Sequence, residues 1–537
     1  MSDHDVIIIG AGFAGMYQLH RLRRLGFDAH VIEAGDDVGG TWYWNRYPGA
    51  RCDIESVEYS YSFDPELEQE WDWSERYAAQ PELLSYAQHV AQRYDLRKDI
   101  TFNTRVESLN WDDDANRWTV TTEDGTSRTS HTSRISHTAQ YVIAATGCLS
   151  VPSRPHFEGL EDFAGEVYWT SRWPHEGVDL AGKRVAVIGT GSSGLQTITE
   201  IAPVVDALTV FQRTPSFAVP AHNGPNDERL ADARTRYREI REYSRMSRTG
   251  FQCHSGTRPL IETEVEEVQR EFDARWADGG LCFSSAFKDI LKDMKANDAA
   301  AEYVRGRIRE KVKDPQLAEK LSPRTYPIAS KRMCVDTGYF EVYNQDNVSL
   351  VDINEQPIQR LTERGIVAGG TEHEFDVIIL ATGFDAMTGA LNAMDIRNGD
   401  DRPLREKWAH GPRTYLGLMS AGFPNLFMVT GPQSPSVLSN MMTSIEYHVD
   451  WITRALEYLR DHGLNRMEPA LDAEDNWVNT TNDVAALTVM PQAASWYMGA
   501  NIPGKQRVFM PFAGGVGTYK LIGDGVAVAH YHGFELT

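Results

Sequence analysis

The chain has 537 residues, of which 41% are hydrophobic and 24% charged, the balance of an ordinary folded protein long enough for two or three domains. Lys and Arg number 53 against 76 Asp and Glu, and the net charge of −23 argues against nucleic acid or an anionic membrane surface as partner. No apolar run reaches the ~18 residues of a membrane span. No basic-then-apolar leader precedes the first strand, and the five cysteines (Cys52, Cys148, Cys253, Cys282, Cys334) include no C-x-x-C pair. The expectation is a cytoplasmic protein in a reducing compartment, and the missing cysteine pair excludes the flavin disulfide reductases.

In chain order, the apolar run Val6–Ile9 leads into Gly10-Ala-Gly12-Phe-Ala-Gly15, and the next run, His30-Val31-Ile32, ends in Glu33, about 20 residues on. Glycines so spaced permit a tight strand-to-helix turn with a pyrophosphate resting on the helix N-terminus. A carboxylate at Glu33 suits a free ribose 2′-hydroxyl. Gly39-Gly40-Thr41-Trp42-Tyr43-Trp44-Asn45-Arg46-Tyr47-Pro48-Gly49 is a glycine-bounded aromatic stretch whose rings and amides can bed an isoalloxazine, or simply pack a core. Arg51-Cys52-Asp53 follows and brings a carboxylate to that edge. A β-rich stretch (Ile100–Val106, Trp118–Thr122) runs on to Tyr141-Val-Ile-Ala-Ala-Thr-Gly147.

Pro152–Pro155 and Trp173-Pro174 stiffen a crossing to a second unit, a candidate hinge. There Val185–Ile188 leads into Gly189-Thr-Gly191-Ser192-Ser193-Gly194, and the strand Leu208–Gln212 ends in Arg213 with Thr214 beside it, a cation suited to a 2′-phosphate. The two fingerprints predict one FAD and one NADPH. From Asn226 to Ser322 the pattern becomes charged and helical, as in Glu262–Trp276 and Ala300–Val312, and Phe375–Gly383 closes the second unit as Tyr141–Gly147 closes the first. The expected fold is α/β, with two Rossmann-like dinucleotide-binding domains and a helical insertion in the second. The segments are 1–150 (FAD domain, first part), 151–225 (NADPH domain, first part), 226–330 (insertion), 331–383 (NADPH domain, second part) and 384–537 (FAD domain, second part). No metal-ligand spacing is present.

On Gly39–Phe63 (GGTWYWNRYPGARCDIESVEYSYSF), Phe163–Pro174, Phe211–Pro220 (FQRTPSFAVP), Lys331-Arg332, Leu380–Gly389, Gly411–Gly417 (GPRTYLG), Gly431–Met441 (GPQSPSVLSNM) and Ala494–Gly504 (ASWYMGANIPG), nearly the whole chain resembles the type I Baeyer–Villiger monooxygenases. The likeness is nearest their phenylacetone and steroid monooxygenase branch. It implies that NADPH reduces FAD, that O2 forms a flavin C4a-peroxide, and that a hydrophobic aryl or cyclic ketone becomes an ester or lactone. In that reading Arg332 stabilises the peroxide and Asp53 orients it, while Gly40, Thr41, Trp42, Asp53 and Tyr59 lie on the flavin. Arg213, Thr214 and Lys331 take the 2′-phosphate, Trp496 covers the nicotinamide, and Leu438 and Met441 line the substrate pocket. A monomer is expected, with ketone and O2 as its small-molecule partners. One position departs from the family pattern F-x-G-x-x-x-H-x-x-x-W-P, where Trp169 replaces the histidine. Tryptophan cannot titrate near neutral pH and has one N–H donor, so an active enzyme that leaks more hydrogen peroxide is expected. The rival readings are a flavin N- or S-oxygenase and an NADPH oxidase.

Overall fold

The computed structural model describes residues 2–124 and 134–537; residue 1 and residues 125–133 of the first expected segment lie outside them. The strand Ser2–Ile9 sits centrally in an eight-stranded sheet, parallel to Ala29–Ile32 on one side and Arg134–Ala144 on the other. Its last four residues, Val6–Ile9, are buried because the sheet is covered on both faces, which is why they read as an unbroken apolar run. Thr104–Asp112 and Arg117–Asp124 extend the sheet as an antiparallel pair. Two strands arrive from far along the chain: Leu426–Met428 pairs with Arg134–Ala144, and Asp395–Arg397 with Thr104–Asp112. After residue 383, therefore, the chain rebuilds the first sheet. The helix Met441–Asp461 packs on the fingerprint helix Phe13–Arg24, joined by Gln18 Nε2 donating to Thr453 Oγ1 (3.0 Å) and Tyr17 OH to Asp450 (2.9 Å).

The second sheet is wholly parallel, in the order Val348–Asp352, Ala207–Gln212, Arg184–Ile188, Val377–Leu380, Glu166–Trp169. Helices cover one face, and a three-stranded antiparallel sheet (Ile358–Leu361, Gly365–Ala368, Thr371–Glu374) covers the other. The two crossings between sheets run side by side: Ser153 N–H donates to Gly383 O (2.8 Å) and Asp385 N–H to Val151 O (2.9 Å). No helix among the described residues is long and apolar enough to cross a membrane.

The helical stretch after Asn226 is divided between two cores. Val265–Asp278, Met294–Lys311 and Pro315–Leu321 bury Phe272, Ala300, Val304, Ile308 and Leu321 against the second sheet. The first helix, Asp227–Met246, instead turns Leu230, Ala233, Tyr237 and Ile240 into the core of the first. It is fastened there by Arg241, which donates to Glu68 (2.7 Å), to the carbonyls of Glu58 and Val57 (3.0 Å each) and to Ser60 Oγ (2.7 Å). Both members of the Arg241–Glu68 pair are 7% exposed, so removing one leaves a buried charge unpaired. Arg241→Met is expected to destabilise by about 3–5 kcal/mol, with Arg241→Met/Glu68→Leu recovering part of the loss. Thermal midpoints check this, and a double variant no more stable than the single one would refute it.

Candidate functional site

Both fingerprint turns have the same backbone. Gly10 (φ +103°) and Gly189 (φ +112°) stand where side chains are strained, and a Cβ on Gly10 would lie 2.8 Å from Ala145 O. Gly12 and Gly191 cap the helices Phe13–Arg24 and Ser192–Ile201 with identical dihedrals (φ −74°, ψ −173°). A Cβ on Gly15 would overlap the Gly10 carbonyl oxygen, and one on Gly194 that of Gly189, so the third glycine of each set lets the helix lie on its strand. The middle positions differ. A Cβ on Gly12 would meet Gly40 Cα at 3.3 Å, whereas one on Gly191 would meet nothing within 4 Å. Neither helix has a capping side chain or an acid in its first turn, so the leading N–H groups are left for an anion. These two cradles fit dinucleotide pyrophosphates.

The charged readers sit as differently as their signs. The Glu33 carboxylate is 5% exposed and accepts Ala11 N–H and Gly35 N–H, both at 2.7 Å; burial nevertheless pushes its pKa above the ordinary carboxylate range. Arg213 is exposed and makes no ion pair among the described residues, while Thr190 Oγ1 donates to Thr214 O (3.0 Å). Lys331 Nζ lies 4.1 Å from the centre of the Tyr326 ring, and burial, then the nearby Arg213, depress its pKa to about 8. Two adjacent cations without an acid are what a doubly charged phosphate would stabilise. Ser192 and Ser193 follow the open cradle, with Ser192 Oγ 3.5 Å from Cys334 Sγ.

Arg332 and Asp53 meet across the junction of the two units. Arg332 donates through Nε to Asp53 Oδ2 and through Nη2 to Oδ1 (2.8 Å), and its Nη1 reaches Val437 O (2.8 Å) and Ser439 O (3.4 Å). Burial opposes the charged form, but Asp53 holds the guanidinium above its ordinary pKa, so it stays a cation. Trp42 and Tyr59 form the aromatic wall behind Asp53, Trp42 Nε1 donating to Tyr59 OH (3.3 Å), with Thr41 exposed beside them. Tyr47 OH donates to Gln196 on the second fingerprint helix (2.8 Å), and Gln196 returns a bond to Arg51 O (3.0 Å), pinning the aromatic stretch to the second unit.

Leu438, Met441 and Trp496 share one apolar cluster with Val437, Met387 and Tyr497, so the structure brings the pocket candidates to the side of Arg332. The loop bearing Trp496 is anchored on the second crossing, Asn501 Nδ2 donating to Phe384 O (2.7 Å) and Lys505 Nζ to Ala386 O (3.0 Å). Trp169 ends its strand opposite Leu380, its ring 5.9 Å from the Arg154 guanidinium of the first crossing. Sequence reasoning missed the Val437 and Ser439 carbonyls, which no residue type announces, and the anchors Asn501 and Lys505, which look like surface polar residues.

Residues 7–223 match the family described as pyridine nucleotide-disulphide oxidoreductase. The Baeyer–Villiger monooxygenase of Pseudooceanicola batsensis is 41% identical over 524 residues, spanning 97% of this chain and 94% of its own. Among solved structures, an oxidized steroid monooxygenase bound to NADP superimposes with TM-score 0.94 at 47% identity, over 100% of this chain and 99% of that one. OTEMO in complex with FAD and NADP gives 0.94 at 39%, over 99% of both chains.

The glycine geometry separates folding from ligand access. Gly194→Ala is expected to cost about 1–3 kcal/mol through overlap with Gly189 O, while Gly191→Ala leaves the ligand-free thermal midpoint nearly unchanged and weakens dinucleotide binding. Equal midpoint losses in the two variants would count against this division.

Proposed function

Because the chain belongs to the Baeyer–Villiger monooxygenase family, we propose that it binds FAD at the first fingerprint and NADPH at the second, and inserts one oxygen atom of O2 beside the carbonyl of a hydrophobic, aryl or cyclic, ketone. Residues 1–150 and 384–537 hold the FAD in this reading, 151–225 and 331–383 the NADPH, and the helices of 226–330 serve both. The observation that carries it is the Arg332–Asp53 pair beside an apolar wall. When bound, NADPH supplies hydride and FAD the oxygen-activating chemistry; the chain's own residues orient, exclude water and hold charge.

A guanidinium has five N–H donors, and four bonds to Asp53, Val437 and Ser439 leave one Nη2 N–H without a partner among the described residues. That donor, fixed before the reaction, stabilises negative charge as it develops on the ketone oxygen and on the oxygen being transferred. Asp53 keeps the guanidinium plane in place. Trp42, Tyr59, Gly40 and Thr41 bed the isoalloxazine, Glu33 takes the ribose, and Leu438, Met441 and Trp496 accept apolar substituents and shed water. Arg213 and Lys331 select the 2′-phosphate.

Arg332→Ala is expected to keep NADPH-driven flavin reduction near the wild-type rate and to lower ester formation from an aryl ketone by at least about 10²-fold, the usual loss for one such donor. Gas chromatography for ester beside NADPH absorbance checks it; ester at the wild-type rate would sink the role, and oxidation of amines or sulfides without any ester would favour the rival oxygenase. Lys331 carries its charge below a pKa of about 8, so the KM for NADPH should rise relative to that for NADH as pH climbs through that value. Arg213→Ala should raise the KM for NADPH more than for NADH and shift the pH transition upward, since it removes a charge that depresses the Lys331 pKa. Equal effects on both nucleotides would refute the assignment.

A further inference from the structure

Three non-glycine residues between Thr430 and Ser436 have left-handed backbone: Thr430 (φ +54°), Gln433 (φ +69°) and Ser436 (φ +37°). All three are buried, and Thr430 carries the branched Cβ for which that region is most costly. Strain of this kind persists only where the surroundings enforce it. Here Gln433 N–H donates to Met510 O (2.6 Å), Trp477 Nε1 to Gln433 O (3.1 Å), Thr414 N–H to Gln433 Oε1 (2.9 Å) and Phe512 N–H to Ser434 O (2.9 Å). Gly417 lets the neighbouring chain close on the turn, since a Cβ there would lie 2.8 Å from Ser434 N.

At the entrance of the turn the enforcing group is a side chain, His448. It lies two turns into the helix Met441–Asp461, is fully buried, and accepts Thr430 N–H at Nδ1 (2.8 Å). A neutral ring that accepts at Nδ1 carries its proton on Nε2, and Nε2 is buried with no partner among the described residues. Burial depresses the pKa to about 3, so the ring stays neutral and the acceptor is retained. A phenyl ring would fill much the same space without an orphaned donor; what the imidazole adds is the bond to Thr430. The exit of the turn leads to the same helix. Ser439 N–H donates to Ser436 O (3.0 Å), and Asn440 caps the helix by accepting Met442 N–H (3.0 Å). Residues 440 and 448 are about 12 Å apart along the axis, so one rigid rod fixes both ends of the loop that presents the Val437 and Ser439 carbonyls to Arg332.

We propose that His448 is a positioning residue for oxygen transfer: by holding Thr430 in its left-handed conformation it sets the turn Thr430–Ser436, and the turn sets the two carbonyls that aim the Arg332 guanidinium. This role rests on the oxygen-transfer function of Arg332, although His448 itself makes no bond to the guanidinium. Without the bond to His448, Thr430 relaxes toward negative φ, its buried N–H loses its acceptor, and Val437 and Ser439 move with the segment. A displaced guanidinium no longer meets the charge that develops on the ketone oxygen, whereas hydride delivery to the flavin does not depend on this turn. Electrons taken from NADPH then appear as hydrogen peroxide, by reduction of O2, instead of in ester formation.

His448→Phe in the holoenzyme is expected to lower the ester formed per NADPH by about 10²-fold, the loss that an ångström of misplacement can cause, with hydrogen peroxide making up the difference. His448→Asn, whose carboxamide oxygen reaches the place of Nδ1, should keep most of the ester. Thr430→Gly, which takes positive φ without a pin, should restore ester in the His448→Phe background. Ester at the wild-type yield in His448→Phe, a loss as deep in His448→Asn, or no recovery with Thr430→Gly would overturn the proposal. Thermal midpoints need no ketone: His448→Phe should lower the midpoint, and Thr430→Gly should raise it in both backgrounds. A glycine that lowers both would show that the turn is not strained and overturn the proposal. A His448→Phe protein that does not fold counts for the proposal if Thr430→Gly restores it and against it if not. A wild type that makes no ester would instead overturn the role of Arg332, a failure that the midpoints tell apart from this one.

Discussion

A guanidinium taken out of water has to be compensated where it lies, and that requirement at Arg332 joins the two halves of this protein. Its partners are a carboxylate 279 residues earlier in the chain, on the loop after the aromatic stretch, and two carbonyls about a hundred residues later, on the turn before the helix Met441–Asp461. Separating these segments breaks all four of the bonds that hold the guanidinium. Docking of the units and assembly of the site are therefore the same event. The Tyr47–Gln196–Arg51 bonds act in the same direction, tying the aromatic stretch directly to the helix that begins the second nucleotide cradle.

The likeness of the two cradles makes their difference informative. Identical dihedrals at Gly12 and Gly191 show one solution to the problem of bringing a pyrophosphate onto a helix N-terminus. Around Gly12 the chain closes over with Gly40, whereas around Gly191 the space stays open. A closed cradle suits a cofactor that remains through many turnovers, and an open one suits a nucleotide that comes and goes. The charges agree: Glu33 is buried and tied to backbone N–H groups, while Arg213 is exposed and makes no ion pair among the described residues.

Glycines made the nucleotide cradles legible in the sequence, because a residue type that tolerates positive φ or missing volume reports backbone geometry directly. The α/β class followed from apolar runs with the right terminators, and the return of the chain to the first unit from the shortness of the segment before Val151. Other features left no such trace. The spacing of Leu230, Ala233, Tyr237 and Ile240 shows that a helix has a buried face but not which core receives it, and Asp227–Met246 joins the first core instead of the second. The carbonyls of Val437 and Ser439 act through backbone, which every residue shares.

Trp169 places an indole where the family pattern has a histidine. The side chain stands at the end of a strand, against the first crossing, where the Arg154 guanidinium lies over its ring. A cation over an indole is held by the ring's quadrupole, an attraction that does not switch with protonation near neutral pH as one made by an imidazole would. The crossing thus seats its cation on a side chain that does not titrate near neutral pH. The loop bearing Trp496 links the second crossing to the apolar cluster beside Arg332, its Asn501 and Lys505 holding carbonyls of that crossing while its tryptophan packs in the cluster. Because those bonds go to backbone atoms, any shift of the crossing displaces the loop directly, whatever the ionisation state of the residue at 169.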